Sequence, residues 1–174
     1  MRRTTPGSLT LAVHVVFAAQ SLLACKGEPA EIASSGERPT TAAPRRLPVQ
    51  VVVAPGGVDV VSFVREERTR ATGQGRRLLV YVGATWCEPC RRFRQAAAHG
   101  DLDAPFPGLT FLEFDEDRDG ARLSQAGYAS QYIPLIAIPN ADGTGSGKQI
   151  EGGIKGPGAV DVISEKLRTL LQQY

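Results

Sequence analysis

Leu78–Val82 (LLVYV) is an almost continuous apolar run. Such a run fits a strand buried on both faces, the kind found inside a parallel sheet covered by helices. It leads directly into Gly83-Ala84-Thr85-Trp86-Cys87-Glu88-Pro89-Cys90, and Arg91–His99 then reads as a helix closed by Gly100. A buried strand that hands a Cys-x-x-Cys pair to the start of a helix points to an α/β chain, because parallel strands need helical crossovers.

The flanking segments extend that pattern. Val49–Val53 (VQVVV) is short and β-branched, hence a strand, broken by Pro55-Gly56-Gly57. Val58–Thr72 sets Val60, Val61 and Val64 against a charged face and reads as an amphipathic helix. Leu109–Phe114 predicts a third strand with alternate residues facing inward, and a polar helix is expected within Gly120–Gln131. Ile133–Ile138 reads as a strand opened by Pro134. Asp142-Gly143 is a turn signal, and Gln149–Glu151 is the partner strand of a hairpin. Val160–Leu171 closes the chain as an amphipathic helix. The expected class is α/β, a central mixed β-sheet flanked by helices.

The chemistry lies at Cys87 and Cys90. Two intervening residues let both thiols meet across the first helical turn. Cys87 would face the unpaired N–H groups of the helix start, which stabilise a thiolate. Pro89 suits that turn, where no N–H donor is missed. Cys90, one turn further in, is the expected resolving thiol. The exchange would run through attack by Cys87, a mixed disulfide, and release by Cys90.

Trp86-Cys87-Glu88-Pro89-Cys90 resembles the thioredoxin active site, Trp-Cys-Gly-Pro-Cys, with Glu88 in place of glycine. Tyr128 and Ile133-Pro134 look like that family's tyrosine and cis-proline, and Asn140–Gly143 is similar to the turn before its last strand. The resemblance spans roughly Val49 to Leu171. It implies a thioredoxin fold, thiol–disulfide exchange, a cis Pro134 beside Cys87, and substrate contacts from Trp86, Ile133 and Pro134, with Glu88 and Pro89 shaping the active-site loop. Three positions depart from the family pattern. Tyr81 stands where thioredoxins carry a buried Asp that assists proton transfer. Leu135 stands where Thr is common, with an expected effect on the substrate groove. Glu88 puts a negative charge beside Cys87, which should raise its pKa and make the pair more reducing. Arg91 and Arg92 are expected to face solvent.

Upstream, Met1-Arg2-Arg3 and the apolar run Leu9–Ala24 have the layout of a secretory signal. The run is shorter than the roughly 20 residues that a spanning helix needs. Leu22-Leu23-Ala24-Cys25 resembles the lipobox of bacterial lipoproteins, which implies lipidation of Cys25. The expected organisation is a signal over 1–24, a polar Pro-rich tether over 25–48, and a thioredoxin-like domain over 49–174. The expected location is the periplasmic side of a membrane, held by the lipid; plain secretion or a soluble periplasmic protein is the alternative.

Lys+Arg total 20 against 18 Asp+Glu, and Arg2 and Arg3 supply that surplus. A balanced domain lacks the basic footprint of a nucleic-acid binder. Three cysteines are too few for a cystine scaffold, and one CxxC with isolated His14 and His99 does not make a zinc site, so no metal or other cofactor is expected. Asp115–Asp119 lacks calcium-loop spacing and reads as a solvated loop. Expected partners are protein thiols and disulfides and a membrane redox partner that supplies or accepts electrons, since no nicotinamide or flavin fingerprint occurs. The domain is expected to act as a monomer. Two other readings of the CxxC stay open: a structural disulfide, and a non-catalytic or copper-handling module on the same fold.

Overall fold

The computed structural model describes residues 47–174, and the expected signal, Cys25 and nearly all of the tether lie outside them. The elements are β1 (Gln50–Val53), α1 (Val60–Gly73), β2 (Arg77–Gly83), α2 (Glu88–His99), β3 (Leu109–Asp115), α3 (Glu116–Gln125), β4 (Leu135–Pro139), β5 (Gly145–Glu151) and α4 (Ala159–Leu171). The sheet order is β1-β3-β2-β4-β5. β3 runs parallel to β1 and β2, whereas β4 is antiparallel to β2 and to β5. This mixed five-stranded sheet flanked by four helices is the thioredoxin fold.

Alternation along the strands divides the interior into two cores. Leu79 and Tyr81 of β2 join Phe93, Phe111, Ile136, Ile163 and Leu167 beneath α2 and α4. Leu78, Val80 and Val82 join Val64, Phe114, Leu123 and Leu135 beneath α1 and α3. Both cysteines belong to the first core.

Three expectations are corrected. β3 is buried on both faces from Leu109 to Phe114 rather than on alternate residues, because it lies between β1 and β2 with helices on either side. The acidic run Asp115–Asp119 is not a solvated loop. Asp115 caps α3 by accepting from Arg118 N at 3.0 Å, and the following acids form the first turn, where the helix dipole favours negative charge. The polar helix therefore begins at Glu116, ahead of Gly120, and ends at Gln125. Finally, Ile133 and Pro134 precede β4 instead of opening it.

Short-range chemistry sets the other ends. Asp59 accepts from Ser62 N at 2.8 Å and starts α1 two residues after Val58. In the β4–β5 turn, Asp142 accepts from Thr144 N at 2.9 Å, and Gly143 has φ +94°. A Cβ on Gly143 would lie 2.1 Å from the Val61 carbonyl oxygen, so the hairpin tip abuts α1 where only glycine fits. Leu47 and Pro48 hydrogen-bond to the domain, accepting from Gly108 N and Arg76 Nη1.

Candidate active site

Cys87 is the N-cap of α2, and its Sγ accepts from Cys90 N at 3.3 Å. Glu88 and Pro89 follow as the first helical residues, so α2 begins at Glu88 and not at Arg91. Cys87 and Cys90 are joined in a disulfide, with their Cα atoms 5.3 Å apart. Cys87 is 5% exposed and Cys90 is 1% exposed. Both are buried, Cys90 the more completely.

The segment before β4 comes back to this pair. The Ile133–Pro134 peptide is cis, and Cys87 Sγ lies 3.8 Å from the Ile133 carbonyl oxygen. This approach follows from the sheet: β4 lies beside β2, with Leu135 opposite Val82. Pro89 is buried against Gly153, where an added Cβ would sit 3.1 Å from Pro89 Cβ. The loop after β5 therefore closes over the start of α2.

Trp86 is 63% exposed, and its Nε1 donates to Asp117 at 2.9 Å, which holds the indole at the mouth of the site. Glu88 does not stand as a free charge beside Cys87. It accepts from Arg92 Nε at 2.7 Å and from Gly156 N at 3.2 Å. These two hydrogen bonds, Arg92 first, hold its carboxyl below the usual range. Arg92 pairs with Glu88 while its side chain stays 41% exposed, and Arg91 is exposed, with Nη1 donating to the Thr85 carbonyl.

Tyr81 lies under Cys90. Its hydroxyl donates to the Cys90 carbonyl at 3.2 Å, and its ring stacks on Phe93 at 5.8 Å. Burial, reinforced by the charge of Glu113, pushes its phenol up so that it stays protonated. Glu113, opposite Tyr81 on β3, is itself buried. Burial pushes its carboxyl up, Arg94 at 3.1 Å offsets part of that, and Asp115 adds to it. Leu135, where Thr is common in thioredoxins, is fully buried. It lies in the core beneath α1 and α3, on the other side of the sheet from the cysteines.

Cys87, Cys90, Trp86, Glu88, Pro89, Ile133 and Pro134 all meet at this one end of the sheet. His99 is exposed at the far end of α2. Sequence reasoning missed Tyr132, Glu116, Asp117 and Glu113. Tyr132 carried a signal, an aromatic residue in a polar loop next to Ile133-Pro134. The Glu88–Arg92 pair did too, at helical i,i+4 spacing. Nothing local marks Asp117 as the acceptor for Trp86, because the two are distant in sequence. Among the described residues, no three His, Cys, Asp or Glu side chains converge as a metal site.

No protein-family model matches the sequence, and no curated protein matches it. Among solved structures, the chain is similar to a thioredoxin from Trichomonas vaginalis, at 20% identity and TM-score 0.47, over 71% of this chain and 97% of that one. It is also similar to thioredoxin O1 from Arabidopsis thaliana in its oxidized state, at 20% identity and TM-score 0.42, over 71% and 96%. A third is a thioredoxin from Trypanosoma brucei brucei, at 22% identity and TM-score 0.42, over 75% and 97%.

Proposed function

We propose that this protein is a thioredoxin-like thiol–disulfide oxidoreductase that reduces protein disulfides outside the cytoplasm while held to a membrane through a lipid on Cys25. The observation that carries the reading is the disulfide at the start of α2, with Cys87 Sγ set against the Ile133–Pro134 segment and Cys90 the more completely buried.

With both cysteines reduced, the Cys87 thiolate attacks one sulfur of a substrate disulfide and displaces the other as a thiolate, which takes up a proton. Cys90 then loses its proton and attacks Cys87 Sγ. The mixed disulfide breaks, the Cys87–Cys90 bond forms, and the second substrate thiol leaves. Two electrons and two protons pass to substrate, and a membrane thiol partner restores the reduced pair. Trp86, Ile133 and Pro134 would contact the substrate chain on either side of the reacting sulfur.

Direction follows from how strongly the fold stabilises the Cys87 thiolate, since strong stabilisation makes an oxidant. Among the described residues, Cys90 N is the hydrogen-bond donor on Cys87 Sγ, supplemented by the α2 dipole. Among the described residues, no cationic side chain hydrogen-bonds to that sulfur. This modest support favours a reductant. Localisation is supported by the sequence of residues 1–25 alone.

The test is the redox potential of the pair, read by thiol alkylation across defined redox buffers. A value near roughly −270 mV is expected, and one near roughly −120 mV would make the protein an oxidant. Resistance of both cysteines to alkylation in strong reductant would end the enzyme reading. Cys87→Ser should abolish insulin reduction, whereas Cys90→Ser should trap mixed disulfides. Incorporation of labelled palmitate, lost in Cys25→Ser, tests the anchor.

A further inference from the structure

A groove of about 350 Å³ opens beside Cys87, lined by Trp86, Glu116, Ser130, Gln131, Tyr132 and Ile133. Its two aromatic walls are unusually bare: Trp86 is 63% and Tyr132 68% exposed. Its charge is one-sided. Asp117 accepts from the indole N–H of Trp86 and, among the described residues, has no ion-pair partner. Glu116 has none either. Glu151 stands behind Tyr132, accepting from the backbone N–H groups of Gln131 and Tyr132.

The nearby cations are committed elsewhere. Arg118 and Arg122 are both bound to Asp119. Arg92 is held by Glu88, Arg91 by the Thr85 carbonyl, and Lys166 by the carbonyls of Glu151 and Gly152. Burial, together with Asp117 and Asp115, pushes the Glu116 carboxyl up, as a carboxylate lacking a counter-ion requires.

Exposed aromatic faces attract cations, and unpaired carboxylates do the same. We propose that this groove receives a lysine or arginine side chain located next to the cystine of a substrate protein, so that the enzyme selects disulfides with basic flanks. The inference rests on the exchange activity proposed above and names its substrate class. The occupant is an extended, disulfide-bearing segment that lies along Ile133, places its sulfur on Cys87, and seats its cationic neighbour between Trp86 and Tyr132 against Glu116 and Asp117.

The experiment uses the reduced full-length protein and four peptides that share one intramolecular disulfide. They differ only in the residue beside the attacked cysteine: Lys, Ser, Leu or Glu. A small neutral disulfide, hydroxyethyl disulfide, reports the exchange chemistry by itself. The Lys peptide should exceed the Glu peptide in kcat/KM by about tenfold at low ionic strength, a ratio that salt screening reduces. Glu116→Gln should lower the Lys-to-Ser ratio several-fold, and Glu116→Gln with Asp117→Asn should bring it close to one. Equal rates on all four peptides, or a Leu peptide that outruns Lys, would overturn the basic-flank proposal while leaving exchange intact. No reduction of hydroxyethyl disulfide would instead defeat the enzyme reading beneath it.

Discussion

Removing the Asp119 carboxylate should loosen the corner that carries α3. Asp119 is 1% exposed and accepts from Arg118 Nε and Nη2, from Arg122 Nη2 and from Asp115 N. The same arginines also donate to the carbonyls of Ala54 and Val58, so the cluster ties α3 to the loop between β1 and α1. Breaking a buried ion pair typically costs 3–5 kcal/mol; since both arginines are partly exposed and can rehydrate, about 2–3 kcal/mol is expected for Asp119→Ala. In a domain of this size that corresponds to a fall in Tm of roughly 8–12 °C. Asp119→Asn keeps the shape and one acceptor and should lose about half as much. The assay is thermal melting followed by circular dichroism at neutral and acidic pH. Burial pushes the Asp119 carboxyl up, but the Arg118 hydrogen bonds, the Asp115 N–H and the two guanidinium charges outweigh it, so its pKa lies below the ordinary value. A carboxyl lowered on folding contributes stability that is complete above its unfolded pKa and is lost as pH falls through its native one. The gap between wild type and Asp119→Asn should therefore close in acid. A neutral-pH loss under about 2 °C for the alanine variant, or a gap that persists in acid, would refute the reasoning.

Other perturbations probe the site and its supports. Tyr81→Phe keeps the stack on Phe93 and loses the hydrogen bond to the Cys90 carbonyl, so urea denaturation should show a loss of about 1 kcal/mol; no change would mean the hydroxyl contributes nothing there. Glu113→Gln should stabilise the domain by about 1 kcal/mol at neutral pH, because a carboxyl raised by burial costs stability as pH rises through its native pKa. That advantage should vanish in acid, where Glu113 is protonated, and melts at both pH values decide it. Glu88→Gln should move the Cys87–Cys90 potential by no more than about 30 mV, since Arg92 and Gly156 N already occupy that charge; a larger shift would show its field reaching the sulfur. Gly143→Ala should cost about 3 kcal/mol or more, or prevent folding, because its Cβ would meet the Val61 carbonyl; a melt within a few degrees of wild type would contradict that contact.

Much of the fold was readable from the chain. The apolar run at Leu78–Val82 appears as the strand β2, buried beyond Arg77, and the element order emerges as the periodicities imply. Where the fold departs from the local pattern, a short-range signal is outweighed. The acidic run after Phe114 looked solvated because charge is usually exposed, yet Asp115 caps a helix and Asp119 is enclosed by two arginines. The alternation expected of Leu109–Phe114 failed because β3 is central, and position in a sheet is not written in one strand's own residues.

The candidate site divides in the same way. Cys87, Pro89 and Cys90 interact within one helical turn, so their spacing alone set the cap and the disulfide reach, whereas the shielding of Cys90 comes from the core packed around it. Their surroundings depended on long-range closure. Ile133 meets Cys87 because β4 pairs with β2, and Trp86 finds Asp117 because β3 delivers α3 to the same end of the sheet. Glu113 faces Tyr81 through strand register, and Leu135 points away through strand alternation. Caps, turns and helical spacing act over a few residues, so the local chemistry of the cysteine turn was legible in the chain. The tertiary structure decided what surrounds the sulfur and with what charge, because those neighbours are joined only by the order and register of strands far apart in the chain.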